Sequence, residues 1–155
     1  MIQFNPNTFL PNHPVYVTVT NAQGDLVCNE TYQINPHHRD GNPNKSQWTI
    51  NNRKEVEVFG WSLENDSISD ENFWGVLWDG AVCHPLGMTP HRQSSKIARF
   101  VCAAQPRVWH GYPVDYVNDP QHDCPGYEVL HKWAEQGIIS KSKIAKLIGG
   151  QGWND

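Results

Sequence analysis

Apolar and polar residues alternate through most of the first half of the chain. PVYVTVT at 14–20 has the one-in, one-out period of a half-buried strand and is rich in β-branched and aromatic residues. NAQG at 21–24 carries turn chemistry, and DLVCNETYQI at 25–34 reads as the returning strand of a hairpin. Residues 35–46, NPHHRDGNPNKS, are punctuated as a loop by two prolines, a glycine and three asparagines. The strand pattern resumes at 47–50 and in KEVEVF at 54–59, with Val56 and Val58 on one face and Glu55 and Glu57 on the other. FWGVLW at 73–78 is the most apolar run and predicts a central strand. Asp79 and Gly80 make a tight turn from which 81–84 returns, placing Cys83 and His84 on opposite faces. Residues 1–13, with few alternating positions, read as a polar leader.

The period changes in the second half. Ser94 is a suitable helix cap, and Ile97, Phe100 and Val101 form an apolar stripe behind it, which predicts a helix over 94–104 that Pro106 ends. On such a helix Arg92, Lys96 and Arg99, four and three residues apart, share one side. Further on, Val129, Leu130 and Trp133 mark one helix, Gly137 its C-terminal cap, and Ser140 the start of a second that ends at Ile148. A helical hairpin over 126–148 follows. With no repeat or linker, the pattern predicts an α+β fold in a single domain, an antiparallel β-sheet from 14–84 packed against C-terminal helices.

Composition agrees with a loop-rich folded chain. Among 155 residues only 38% are hydrophobic and 18% charged, so Asn, Gln, Ser, Thr, Gly and Pro fill the remainder, while seven Trp require a packed interior. No apolar run reaches membrane-spanning length, and the N-terminus shows neither a secretory nor a transit pattern, which predicts a cytoplasmic chain with reduced thiols. The four cysteines contain no C-x-x-C pair. Cys83, His84, Cys102, His110, His122 and Cys124 are residue types that zinc takes, but neighbours on a strand diverge, so Cys83 and His84 would not both ligate one ion without a loop; buried thiols account for the cysteines, and no metal and no cofactor is predicted.

Charge is uneven. From Gly80 to Val114 there is no carboxylate, while Arg92, Lys96, Arg99 and Arg107 all fall there, so the net −4 of the chain leaves −8 for the rest. The strip predicts a small binding protein that holds an anionic ligand, nucleotide-like or phosphate-bearing, or an acidic partner surface, with the arginines giving charge and Trp109 and Tyr112 stacking surface. Solvation of one element's face, with pairing to the acidic remainder, accounts for the same four charges. A second reading is a metal-independent phosphodiester hydrolase, in which Asp115 orients His110 as base and His84, His91 or His122 serves as acid. WHGYP packed as a plug explains those residues equally. A third is an inhibitory or adaptor protein docking on a larger partner. The tail lacks the basic recognition helix of a sequence-specific DNA reader, with Lys141, Lys143 and Lys146 balanced by Glu128 and Glu135 in the preceding helix.

Overall fold

The computed structural model describes residues 1–153. Its strands are β1 (Ile2–Asn5), β2 (Val15–Thr20), β3 (Leu26–Tyr32), β4 (Gln47–Trp48), β5 (Ile68–Ser69), β6 (Asn72–Gly75), β7 (Leu77–Trp78), β8 (Cys83–His84), β9 (Gly87–Met88), β10 (Ser94–Ser95), β11 (Ala98–Ala103) and β12 (Val108–Pro113). The helices are α1 (Asn52–Glu64), α2 (Pro120–Asp123), α3 (Tyr127–Glu135) and α4 (Lys141–Ile148), with a single 3₁₀ turn at Pro36–His38 among the described residues. The main sheet has seven strands in the order β1-β2-β3-β12-β11-β6-β5. All its pairings are antiparallel except β12 with β3. The fold is α+β, as the pattern predicts, but the sheet is mixed and its centre comes from the C-terminal half. No helix among the described residues is long and apolar enough to cross a membrane.

The β2–β3 hairpin forms where the alternation places it, its turn held by Asn21 Oδ1, which accepts the N–H groups of Gln23 (3.0 Å) and Asp25 (2.9 Å). The leader is not irregular throughout: Ile2–Asn5 adds to β2 as an edge strand. KEVEVF is helical rather than extended. The Asn51 side chain caps α1 by accepting the Lys54 N–H at 2.8 Å, and Val56, Phe59 and Leu63 then fall on one buried face with Glu55 and Ser62. An alternation of two valines is too short to separate the two periods, and the cap decides. Gly60 lets the edge strand approach, since a Cβ there would lie 2.9 Å from Ile2 Cγ2.

The helix expected over 94–104 is instead β10 and β11. Ala98 and Phe100 are fully buried while Arg99 and Val101 are half-exposed, a period of two that the β-branched and aromatic residues satisfy between β12 and β6. One face of the sheet closes over α1 around Val17, Tyr32, Phe59, Phe100 and Trp109. A second core gathers Trp74, Ile97, Val114, Leu130, Trp133 and Leu147 under α3 and α4, the helical hairpin of the tail. β6 joins the two, with Phe73 packed against the first core and Trp74 buried in the second.

Candidate functional site

With β11 extended, the four cations do not share one side. Arg99 lies across the strand pair from Tyr112, donates from Nη1 to the Tyr112 hydroxyl (3.2 Å) and the His122 carbonyl (2.9 Å), and stands 4.0 Å from Asp123 Oδ1. Its guanidinium covers the Trp74 ring at 5.5 Å. Arg107, at the other end and on the other face, pairs with Glu30 through Nε (3.3 Å) and Nη2 (3.1 Å) and lies 5.6 Å from the Trp109 ring. The Lys96 ammonium approaches Trp153 at 5.5 Å. Arg92 sits in an exposed turn at φ 60°, without an acidic partner among the described residues. Trp109 and Tyr112, three positions apart on one strand, also point to opposite faces. The acid-free strip is therefore a sequence feature and not one continuous surface.

The histidines are redistributed as well. Asp115, expected to orient His110, instead accepts His91 Nδ1 at 2.8 Å. It is nearly buried and further held by the Asn118 backbone N–H (3.2 Å) and carboxamide (2.9 Å). His84 belongs to the β7–β8 hairpin, where Nε2 meets Asp79 Oδ2 at 2.6 Å. The N–H of Val82, then His84 and the N–H of Ala81, hold the Asp79 carboxyl down to about 2. His122 bonds Asp119 at 2.9 Å. The His110 ring makes no hydrogen bond among the described residues, and half-burial lowers its basicity.

His110 lies on the outer face of β12 with Val108 and Tyr112, the face turned away from α1. The 3₁₀ turn crosses this face and divides it into two clefts. The first, about 470 Å³, has His110, Val108, Ile34 and Pro106 in its lining, with Asn12, Gln33 and His37 at the rim. No Lys, Arg, Asp or Glu lines it, and the carboxamides of Asn12 and Gln33 have no hydrogen-bond partner among the described residues. The second, about 340 Å³, is bounded by His38, Lys45, Tyr112, Asp115, Asp119 and Asp123. His38 stacks on Tyr112 with ring centres 5.4 Å apart, and burial lowers its basicity too. Burial, then the nearby Asp123 charge, pushes the Tyr112 hydroxyl up to about 12, and burial raises Asp123. A larger hollow of about 680 Å³, bordered by Glu30, Asp70, Glu71, Cys102 and Arg107, has the wrong sign of charge for an anion.

Beneath the turn is a group absent from the sequence reading. Glu55, on the buried side of α1, is wholly inaccessible. Its carboxylate accepts the Tyr32 hydroxyl (2.5 Å) and Arg39 Nε (3.0 Å), with Arg39 Nη2 at 2.8 Å. Burial raises Glu55 to about 7 against the opposing pull of Tyr32 and Arg39. Burial, then the Glu55 charge, moves the Tyr32 hydroxyl well above its ordinary range. The signal for this group was the helix cap at Asn51: with α1 recognised, Glu55, Phe59 and Ser62 recur at helical spacing on the buried side. The four thiols are unpaired with one another, and among the described residues no three His, Cys, Asp or Glu side chains are disposed to hold a metal ion. Comparison with protein-family models, curated proteins and solved structures finds no match.

Proposed function

We propose that the chain is a small-molecule-binding protein whose ligand rests in the cleft over Val108 and His110. The observation that carries this reading is the lining: an apolar floor, the half-buried His110 imidazole with its lowered basicity, and free carboxamides from Asn12 and Gln33, with no Lys, Arg, Asp or Glu. Such a site recognises an uncharged polar molecule, or the uncharged part of a larger one, through paired donors and acceptors. The anion expected from Arg92, Lys96, Arg99 and Arg107 is disfavoured because Arg99 and Arg107 are already engaged with Asp123 and Glu30 on opposite faces. Four cysteines with no disulfide between them suit a reducing, cytoplasmic setting.

Thermal-shift titration with nucleosides and their 5′-monophosphates tests the reading. Nucleosides are expected to raise Tm, and Val108→Trp, which fills the cleft, and His110→Ala are expected to abolish the shift. A response confined to the monophosphates, insensitive to both substitutions and lost in Arg92→Ala, would restore the anion-strip reading.

One observation favours a second reading, the hydrolase. Asp115, itself held by the Asn118 carboxamide, fixes His91 through Nδ1 while the imidazole ring is exposed, the arrangement of an oriented general base. If phosphodiester hydrolysis occurs, His91→Ala removes turnover of bis(4-nitrophenyl) phosphate and His110→Ala does not. Absence of turnover by the wild-type chain rejects it.

A further inference from the structure

Residues 35–46 are bonded chiefly to themselves. Gln47 gathers the segment: its Oε1 accepts the Gly41 N–H at 2.9 Å and its Nε2 donates to the His37 carbonyl at 3.1 Å. His38 Nδ1 lies 2.9 Å from the Ser46 carbonyl, and Asn35 caps the 3₁₀ turn through the His37 N–H at 2.9 Å. Among the described residues, every hydrogen bond from 35–46 to a residue beyond Gln47 comes from Arg39. Its Nη1 donates to the Ile50 carbonyl at 2.9 Å, and Nε and Nη2 reach Glu55. The one ring contact leaving the segment among the described residues is His38 on Tyr112. A self-bonded loop of this kind moves as a unit, and this one walls both clefts through His37 and His38.

We propose that Arg39 and Glu55 form a proton-operated latch: ionised Glu55 holds the 35–46 segment against the outer face of β12, and protonation of that carboxylate by solvent releases Arg39 and loosens both cleft walls. The guanidinium keeps its charge at every accessible pH. Glu55 is the member that titrates near neutrality, since Tyr32, which faces it from β3, is shifted far upward. On α1 the adjacent charges turn elsewhere: Lys54 pairs with Glu57 at 3.6 Å, and Arg53 covers the Phe9 ring at 4.5 Å. From β12, Gly111 offers a backbone hydrogen bond to Tyr32. The direction follows from linkage. As proposed, loosening moves Arg39 and leaves Glu55 against the buried Tyr32 hydroxyl, so burial, the largest cause of its raised value, persists while the positive charge that favours ionisation departs; the loosened form then binds the proton more tightly than the latched form, and acid favours loosening.

The latch matters for ligand only if the cleft reading holds, but its test needs no ligand. Hydrogen exchange of residues 36–46 in the full chain, corrected for intrinsic rates, is compared at about pH 8 and pH 6. Protection is expected to fall about tenfold on acidification, following the proton population, while β11 and β12 stay unchanged. Glu55→Gln should be loose at both values and Arg39→Gln likewise, the latter changing the less buried end of the pair. His38→Gln should keep the acid response, which separates Glu55 from the loop's own imidazoles. Equal protection of the wild type at both pH values overturns the proposal, and so does an acid response that survives in Glu55→Gln or, where that variant does not fold, in Arg39→Gln.

Discussion

Trp109, Gly111 and Pro113 point inward from β12 and are buried, whereas Val108, His110 and Tyr112, their immediate neighbours, are half-exposed on the outer face. On the inner face the polar atom is assigned: the Trp109 indole N–H donates to Glu30 at 2.9 Å. On the outer face His110 is unassigned, though Tyr112 is tied to Arg99 and Asp123. One six-residue strand thus packs into the core on one side and lines a cleft, the proposed binding site, on the other. Adjacency in WHGYP says nothing about shared duty, because successive side chains on a strand part company.

Substitutions should separate the two faces. The largest effect is expected from Phe100→Ala, which empties the inner core between Tyr32, Phe59 and Trp48 and costs about 4 kcal/mol by chemical denaturation. Next is the buried carboxylate. Since folding raises Glu55 from 4.5 to about 7, its contribution to stability is complete below the unfolded value and is lost as pH rises to and through 7. The loss is on the order of 3 kcal/mol, and Glu55→Gln should flatten the curve. Overall stability therefore falls with rising pH while protection of 35–46 rises, so parallel changes in the two would break the distinction between core and latch. Gly111→Ala comes third at about 2 kcal/mol, because its Cβ would sit 2.3 Å from Phe100 Cδ1; a neutral result would mean the inner face is not closely packed. The smallest expected cost is for His110→Ala, within about 0.5 kcal/mol, with ligand response lost in the thermal-shift assay.

Much of the fold was legible where local chemistry and tertiary setting agree. The β2–β3 hairpin has its Asn21 turn, and α3 and α4 carry Gly137 at φ 79° between them, so period and punctuation coincide. The apolar run at 73–78 was readable as β6 and β7, interior to the sheet at β6. Errors fell where period was ambiguous: Val56 and Val58 alternate by chance on a helix, and the Ile97–Val101 stripe is compatible with either element until β12 and β6 bracket it. Of the candidate site, His110 and Tyr112 were identifiable from their residue types and local aromatic setting. Their neighbours Asn12, Gln33, His37 and His38 come from distant parts of the chain and are joined only by the path of the fold. The pairing of Asp115 with His91 rather than His110 also depends on the Pro90 turn, which no local pattern encodes.

The insertion of β12 between β3 and β11 has a consequence for biosynthesis. Until about residue 113 has left the ribosome, β3 has no neighbour on its far side, and the β1–β3 meander presents an open row of N–H and C=O groups. The parallel junction that covers the C-terminal end of this row, Trp109 with Tyr32, spans about half the chain, so its loop entropy must be overcome late. A polypeptide truncated before β12 should consequently self-associate through β3, and the nascent chain depends on rapid emergence of its centre strand to avoid that fate.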